Sequence, residues 1–569
     1  MPVAVLFLAV LALFGAAFFL YGRLLAKRFG LSADAPTPAQ ELYDGVDYVP
    51  TPRWYLLSQH FSAISAAGPI VGPIVAAVAF GWLPALLWIV VGAIFIGAMH
   101  DFSALVGSVR HRGRSIAAII QEHMSKRAGV LFLSFVYLAL IYIIVAFTDI
   151  TARAFVDNLE LPSGQVVRGG GVATASILYL LIGVAMGLAL HYFRLQIWPA
   201  TAIFVPLVVV AIWYSQNIPL ELPTLNLPLL GEVPPNLAWD YLILIYCGVA
   251  SVVPVWALLQ PRGHLGGFFL YGMIFASFIG ILLGGQEIAY APFLGFQSEK
   301  LGPMFPLLFV TIACGACSGF HGIVCSGTTS KQLEHETDAH VVGYGGMLLE
   351  GVVAVIALIT VAVLATDSAA ARENPNLIFA RGIGNFLGVL GVDPTFAVSF
   401  GLLAFATFVY DTLDVATRLG RHILEELFGL SGRAKGILAT LVTLMLPALL
   451  MSARMTDASG RPMPAWRVFW SIFGTSNQLL AALTLLSLSV WLVRTGRRGL
   501  AWLVAIPMVL MMVMTVWSLI LMMESWIKSG RYTDPVGWVA LVLSLLAFLL
   551  VAEATAVLLR GPPRPAQAV

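Results

Sequence analysis

The chain of 569 residues contains about fifteen separate apolar segments, most of them long enough to cross a bilayer as a helix. They begin near residues 3, 56, 83, 128, 173, 197, 239, 265, 304, 342, 394, 435, 466, 499 and 534. With 59% hydrophobic and only 11% charged residues, the chain cannot form the polar surface of a water-soluble protein. The connections, among them Ala365 to Pro394, have the composition of loops. The sequence therefore predicts an all-α integral membrane protein without a soluble domain.

Basic residues between the segments predict the orientation of the chain. If the first span enters from outside, one side carries about 21 of the 31 Lys and Arg residues, in loops such as SVRHRGR, QPRGH and RTGRR. The positive-inside bias makes this side cytoplasmic, with the N-terminus outside and the C-terminus inside. The first span, Val3 to Tyr21, lacks a basic leader and a cleavage site, so we expect it to be retained. The net charge of +2 gives no reason to expect a nucleic-acid partner.

The stretch SAISAAGPIVGP, Ser62 to Pro73, places two Gly-Pro pairs inside a predicted span. Proline donates no backbone hydrogen bond and clashes with the preceding turn. Such backbone is tolerated at membrane depth only where it is buried in protein or lines a polar cavity. The stretch therefore predicts a broken helix in which Ser65, Gly68 and Gly72 present backbone and hydroxyl groups to a substrate. The alternative is a proline kink with packing glycines.

A second stretch, ACGACSGFHGIVCSGTT from Ala313 to Thr329, is the most polar and glycine-rich span. The two stretches lie in spans of opposite direction, as in an inverted repeat whose halves meet at the substrate site. They are seven spans apart, not the five of a minimal five-plus-five transporter, so two helices are predicted to be inserted. Helix packing is the rival interpretation of the small polar residues. The candidate substrate-binding residues in this stretch are Gly315, Ser318, Gly319, His321, Ser326, Thr328 and Thr329.

Four ionisable residues at predicted membrane depth are candidates for ion coupling, since an unpaired charge there is costly. Glu350 could carry a coupled proton as a neutral acid, or pair with a neighbouring helix. Asp411 and Asp414 lie three residues apart on one helix face and could bind a cation or relay a proton. Alternatively, Arg418 holds them at a cytoplasmic helix end. His60 flanks the first predicted break.

Signals for a metal or an enzyme are weaker. Cys314, Cys317, His321 and Cys325 would share one face of an unbroken helix, as zinc or copper ligands can. Glycines interrupt that helix, so we expect packing and no metal or cofactor. His100 and Asp101 lie near a span end and are expected to be ordinary anchors. The sequence has no Walker A loop and no dinucleotide fingerprint, which argues against an ATP-driven pump or an enzyme.

Several long motifs follow one another between about residues 40 and 490. They are DGVDYVPTPRWYLLSQHFSAISAAGPIVGPIVAA, PVWALLQPRGHL, GPMFPLLFVTIACGACSGFHGIVCSGTTSKQL, YGGMLLEGVVAV, TLDVATRLGRHILEE and FGTSNQLLAALTLL. Together they resemble the carbon starvation protein (CstA) family of bacterial inner-membrane transporters. The departures include Gly263 and His264, where Asp-Tyr is expected after PR, and Cys317 and Cys325, where small or apolar residues are more usual.

The resemblance implies ion-driven uptake of pyruvate or peptides across the bacterial inner membrane. It also implies the LeuT-like fold of the amino acid-polyamine-organocation transporters. We expect one lipid-embedded transport domain with a peripheral first helix (1–30), a core (40–490) and two C-terminal helices (491–569). Both substrates carry a carboxylate, which half-helix N-termini and hydroxyl or imidazole donors bind. Proton or sodium coupling, any oligomeric state, and a membrane sensor or enzyme that binds the carboxylate without translocation are all compatible with these residues.

Overall fold

The computed structural model describes residues 2–45, 47–161, 163–227, 231–254, 256–430, 432–453, 463–530, 532 and 535–560. The chain end from residue 561 onward, which contributes basic residues to the predicted orientation, lies outside the described residues. Within these ranges the chain is helical almost throughout, and strands are limited to three short antiparallel hairpins. The predicted all-α fold is therefore confirmed.

The helices follow one another with few long loops, and short π-helical turns join α1 to α2 and α6 to α7 into continuous spans. The helices are α1 (Val3–Ala16), α2 (Arg23–Phe29), α3 (Pro38–Glu41), α4 (Arg53–Ile64), α5 (Gly68–Phe80), α6 (Trp82–Gly92), α7 (Ala98–Arg110), α8 (Ile116–His123), α9 (Lys126–Val156), α10 (Gly169–Tyr192), α11 (Ile197–Ser215), α12 (Pro235–Val252), α13 (Leu259–Leu283), α14 (Met304–Thr311), α15 (Gly319–Gly327), α16 (Gly346–Ala362), α17 (Pro375–Gly388), α18 (Pro394–Phe428), α19 (Arg433–Ser452), α20 (Ala465–Arg494), α21 (Arg498–Ser529) and α22 (Pro535–Leu559). The hairpins are β1 (Leu159–Glu160) with β2 (Val166–Val167), β3 (Leu225–Leu227) with β4 (Gly231–Val233), and β5 (Gln297–Ser298) with β6 (Gly302–Pro303).

The predicted membrane segments are all present as helices. In the described part of the chain, 13 helical segments are long and apolar enough to cross a membrane, and the bent pair α4 and α5 makes a further span. Helices α14 and α15 have 8 and 9 residues, so each is too short to cross alone. Together they account for the remaining predicted segment. The span that contains α16 is 94% buried and α11 only 28%, so α16 lies at the centre and α11 at the edge.

The connection from Ala365 to Pro394 is more ordered than the sequence predicts. It contains α17, which begins at Pro375. Proline is tolerated there because the backbone N–H groups in the first turn of a helix have no partner within the helix. Ile378, Phe379 and Ile383 on one side of α17 are buried, and the helix packs between α13, α16 and α18. The prediction of a loop without a helix is therefore wrong. The 14 residues of α17 are too few to be recognised as a membrane span from the sequence.

The first predicted break is confirmed, but it precedes both Gly-Pro pairs. Helix α4 ends at Ile64 and α5 begins at Gly68, and the two helices are bent by 46°. Pro69 lies in the first turn of α5, where a helix tolerates proline. The proline therefore starts the second half-helix, and the residues from Ser65 to Ala67 form the break.

The glycines of this stretch allow the two broken helices to touch. A Cβ atom on Gly68 would overlap the side chain of Cys314. A Cβ atom on Gly72 would lie 2.5 Å from the Thr311 carbonyl oxygen and 3.2 Å from the Cα of Ile312. A larger residue at either position would therefore displace the other broken helix. Close contacts of this kind are what the packing interpretation of Gly68 and Gly72 expects.

Four variants test this packing. We expect Gly68→Ala to lower the stability of the purified protein by about 1–3 kcal/mol, because the new methyl group overpacks the contact with Cys314. Adding Cys314→Gly should restore most of the loss. Gly72→Ala should be equally harmful without such a rescue, since it meets backbone atoms. Gly15→Ala is the control, because no described atom lies within 4 Å of its added Cβ. Unfolding in detergent measures all four, and a neutral Gly68→Ala would contradict the packing role.

The second break is longer than the first. Helix α14 ends at Thr311 and α15 begins at Gly319. Asn477 of α20 spans this break: its side-chain oxygen accepts a hydrogen bond of 2.9 Å from the backbone N–H of Phe320, and its amide donates to Cys314 Sγ at 3.2 Å and to Ser318 Oγ at 3.0 Å. The hydrogen bonds that an unbroken helix would make are partly replaced by this side chain.

Candidate functional site

The first polar group at the breaks is a row of four fully buried side chains, which we call the acid-histidine row: His100, Asp101, His321 and Glu350. Asp101 lies on α7, His321 in the first turn of α15 and Glu350 on α16. Asp101 Oδ1 is 2.8 Å from His100 Nδ1, and Asp101 Oδ2 is 2.8 Å from His321 Nδ1. His321 Nε2 is in turn 3.0 Å from Glu350 Oε2. The row therefore connects a broken helix to two continuous helices.

Glu350 is the end of this row and its least satisfied member. His321 Nε2 is near Glu350 without the alignment of a hydrogen bond, and neither Glu350 oxygen has a hydrogen-bond donor among the residues that the structure describes. A buried carboxylate without donors is costly, and taking up a proton removes that cost. Both sequence interpretations of Glu350 thus have support, because the carboxyl group lies beside a partner helix and can hold a proton.

The second group, the arginine cluster, consists of Arg262, Asp411, Asp414, Tyr246 and Ser62. Arg262 Nε is 2.7 Å from Asp411 Oδ1, and Arg262 Nη1 is 2.7 Å from Asp414 Oδ2. The Tyr246 hydroxyl donates to Asp414 Oδ2 at 2.7 Å, and the Ser62 hydroxyl donates to Asp411. Arg262 and Asp414 are fully buried. The cluster joins the first broken helix to α12, α13 and α18.

The alternative in which Arg418 holds Asp411 and Asp414 is wrong. The Arg418 guanidinium donates instead to the carbonyl oxygens of Ala250 and Val253, at 2.9 and 2.5 Å. Arg262, the true partner, was counted as a cytoplasmic loop residue in the motif QPRGH.

A signal for the burial of Arg262 was present in the sequence. Gly266 and Gly267 follow it at the start of an apolar run. A Cβ atom on Gly266 would meet Ser62 and Asp411, and a Cβ atom on Gly267 would meet Ser58. Small residues beside a basic residue thus indicated a close helix contact and not a solvent-exposed loop.

A cavity of about 40 Å³ lies between α4, α13, α15 and α18 and has room for a few water molecules. His60 Nδ1 lies 2.9 Å from Thr329 Oγ1 at its wall. The lining combines a guanidinium, a carboxylate, an imidazole and amides, which together can orient an organic acid. The polar lining residues are Gln59, His60, Arg262, Thr328, Thr329, Gln332 and Asp411.

The remaining serine candidates have different surroundings. Ser65 lies in the first break, and its buried hydroxyl has no partner in the described ranges. Ser318 exchanges hydrogen bonds with Asn477, and the Ser326 hydroxyl donates to the Gly322 carbonyl oxygen of its own helix at 2.8 Å. Ser318 and Ser326 thus fit the packing interpretation, whereas Ser65 keeps a free polar group beside the break.

Two glycine candidates of the second stretch also pack tightly. A Cβ atom on Gly315 would lie 2.7 Å from the Cβ of Ala354, and one on Gly319 would overlap the backbone of Asn477 and Ala481. Neither glycine lines the cavity. These contacts are what the packing interpretation of Gly315 and Gly319 expects.

Asp101 is a site residue that the sequence interpretation missed. It was expected to be an anchor near a span end, yet its carboxylate is fully buried between two histidines.

The four residues considered as metal ligands, Cys314, Cys317, His321 and Cys325, do not come together. Cys314 contacts Asn477, His321 contacts Asp101, and Cys325 Sγ lies 4.0 Å from His60. The break separates residues that an unbroken helix would have aligned.

The fold is shared with a solved transporter structure. The manganese transporter of Eremococcus coleocola superposes with a TM-score of 0.54 over 91% of this chain and 98% of that chain, at 11% sequence identity. At this identity the likeness establishes the fold alone. The expected LeuT-like fold with two broken helices is thus confirmed.

Sequence comparison is more specific. The family model "Carbon starvation protein CstA" matches residues 2–370 and 365–518, beyond both ends of the interval expected from the motifs. The peptide transporter CstA of Campylobacter jejuni is 30% identical, covering 92% of this chain and 80% of the relative. The pyruvate/proton symporter BtsT of Escherichia coli is 30% identical, covering 87% and 78%. The chain is therefore a multi-pass membrane transporter, not an enzyme, and it belongs to the carbon starvation protein CstA family.

Proposed function

We propose that this transporter imports a small organic carboxylate across the bacterial inner membrane and binds it in the cavity between the broken helices. The observation that carries the proposal is that Arg262, His60 and Asp411 line one cavity beside α4, the helix that precedes the first break. A guanidinium binds a carboxylate through two parallel hydrogen bonds, and imidazole and hydroxyl groups add further donors. The cavity has room only for water, so substrate entry requires the surrounding helices to move apart, as alternating access provides.

The charges favour a short peptide as substrate. Arg262 is held by Asp411 and Asp414. A zwitterionic peptide can enter this pair with its carboxylate on Arg262 and its ammonium group on Asp411, so the net charge of the cluster does not change. Pyruvate would leave Asp411 unpaired in a dry site unless a proton neutralised it. Pyruvate remains the second candidate because a relative of 30% identity is named a pyruvate/proton symporter.

We further propose that the coupled ion is a proton. Each acid of the acid-histidine row has an imidazole beside it, within 3.0 Å or less. Hard cations such as sodium prefer sites built from several oxygen ligands, whereas alternating acids and imidazoles suit proton transfer. Because His321 lies in the first turn of α15, a change of charge in the row acts directly on a broken helix.

The inserted helices are, in this proposal, α10 and α11. Helices α9, α12, α18 and α19 form one packed group: the Ser251 and Thr440 hydroxyls are 3.1 Å apart, and Phe155 packs against Trp239 and Tyr410. In this proposal, α9 and α12 are the third and fourth helix of the first repeat, and α18 and α19 are those of the second. The α10–α11 hairpin lies outside it, and α11 is mostly exposed. The peripheral helix of residues 1–30 and the two C-terminal helices remain additions to the core.

The proposed orientation, with the N-terminus outside, predicts a labelling pattern. All four native cysteines are buried, so an added exposed cysteine gives a clean signal. An impermeant maleimide should label Ser163→Cys in intact cells, but Asp34→Cys only after the cells are permeabilised. Both positions are exposed, and the predicted orientation places them on opposite sides of the membrane. The reverse pattern would contradict the proposed orientation.

Uptake by proteoliposomes tests the proposed function. Purified protein with an inward proton gradient should accumulate labelled dialanine saturably, with unlabelled pyruvate as the competitor. Pyruvate uptake that dialanine does not inhibit would make pyruvate the substrate. Substrate binding seen by tryptophan fluorescence, without accumulation inside the vesicles, would favour the alternative of a membrane sensor.

A further inference from the structure

A third cluster of polar side chains lies where α7 ends and α8 runs back. His111 follows the last residue of α7, and Glu122 and His123 are the last residues of α8. The Nε2 atoms of the two histidines are 2.9 Å apart, and Glu122 Oε1 is 3.9 Å from His123 Nε2. One ligand atom from each residue lies within 4.8 Å of the others. Within the described ranges, no other group of three His, Cys, Asp or Glu residues brings its ligand atoms this close together.

Neighbouring groups orient these ligand atoms. His111 Nδ1 is 2.6 Å from the Gly107 carbonyl oxygen. Because a carbonyl only accepts, Nδ1 carries the proton and a neutral His111 turns the lone pair of Nε2 toward His123. Arg114 Nη1 holds Glu122 Oε2 at 3.0 Å, which leaves Oε1 on the side of the histidines. A backbone carbonyl behind the imidazole and a donor behind the carboxylate are the usual supports of metal ligands.

A further hydrogen bond holds His123 in place. Arg494 Nη1 donates to the His123 carbonyl oxygen at 2.6 Å, which fixes the end of α8.

We propose that His111, Glu122 and His123 form a binding site for Zn²⁺. Two imidazole nitrogens and one carboxylate oxygen are zinc ligands, and water completes the tetrahedron. The ligands come from both sides of the turn between α7 and α8, so a bound ion ties the end of α7 to the end of α8. Helix α7 carries Asp101 of the acid-histidine row, so the ion restrains a helix that contacts the transport site.

Zinc binding by the whole purified protein, carrying an affinity tag without histidine, is the test. After treatment with a chelator, dialysis against Zn²⁺ should give one bound ion per chain. His111→Ala and His123→Ala should each weaken binding by at least about tenfold, since even the loss of a supporting group has that effect. His335→Ala, at an exposed histidine, is the control and should bind like the unmodified protein. No binding, or binding that both substitutions leave unchanged, would overturn the proposal.

X-ray absorption at the zinc edge separates this site from the buried cysteines. The proposal expects only nitrogen and oxygen ligands, at about 2.0–2.2 Å, and no sulfur at about 2.3 Å. Sulfur ligands would contradict it. If an alanine variant fails to fold, Glu122→Gln at the half-exposed carboxylate serves instead. Zn²⁺ should then raise the unfolding temperature of the unmodified protein and of His335→Ala more than that of Glu122→Gln. An equal rise in all three would show that the two histidines and Glu122 do not bind the ion.

Discussion

Glu350→Gln is expected to abolish proton-driven accumulation of substrate while leaving substrate exchange intact. Glutamine has the shape of a protonated glutamate but cannot release a proton. Neither Glu350 oxygen has a hydrogen-bond donor among the described residues, so the substitution removes no hydrogen bond. The variant should therefore behave as a carrier fixed in the protonated state, which can exchange substrate across the membrane but cannot use the proton gradient.

The size of this effect follows from the gradient. One proton moving down a gradient of one pH unit supplies about 1.36 kcal/mol, which supports about a tenfold accumulation of substrate. Under this gradient and without a membrane potential, the unmodified protein should reach about tenfold and Glu350→Gln about onefold. Glu524→Gln, at an exposed acid paired with Lys528, should behave like the unmodified protein. Undiminished accumulation by Glu350→Gln would exclude Glu350 as the proton carrier, and loss of exchange as well would assign it a structural role.

The second large effect is expected from Arg262→Met. It leaves the Asp411 and Asp414 carboxylates buried without their cation. Removing one partner from a buried ion pair typically costs about 3–5 kcal/mol, so little folded protein should reach the membrane. The amount of monodisperse protein after purification and its unfolding temperature measure this loss.

Neutralising the aspartates separates the structural role of Arg262 from its proposed binding role. In Arg262→Met/Asp411→Asn/Asp414→Asn no buried charge is left unpaired, and apolar or neutral replacement of such triads is tolerated in other proteins. We expect this triple variant to fold and to lack uptake of dialanine and of pyruvate. If the triple variant transports normally, Arg262 stabilises the fold without binding substrate.

The sequence predicted those parts of the molecule that have local causes. Span length depends on consecutive apolar residues, and the breaks depend on glycine and proline within a span, so both were found from short windows. Helix α17 was missed because its fourteen residues are too few for a span. The position of the first break was also misjudged, since proline at a helix start and proline at a helix break have the same local sequence.

The site was predicted only in part, because its contacts join distant residues. Asp101 and His321 are 220 positions apart, and Arg262 and Asp411 are 149 apart. A single sequence contains no record of such pairs. Glu350 became a candidate because a lone acid in an apolar span is conspicuous, whereas Asp101 and Arg262 near predicted span ends resembled ordinary anchors. Burial, which distinguishes an anchor from a site residue, depends on helices that are remote in the sequence.

The most direct test of proton-coupled carboxylate import is the pH inside proteoliposomes when substrate is added. Vesicles that contain a pH-sensitive dye, held at zero membrane potential and at equal initial pH, should acidify when dialanine is added outside. The acidification should match the rate of dialanine uptake, and it should be absent in Glu350→Gln. Dialanine or pyruvate uptake without acidification, or uptake that depends on a sodium gradient, would contradict proton-coupled import.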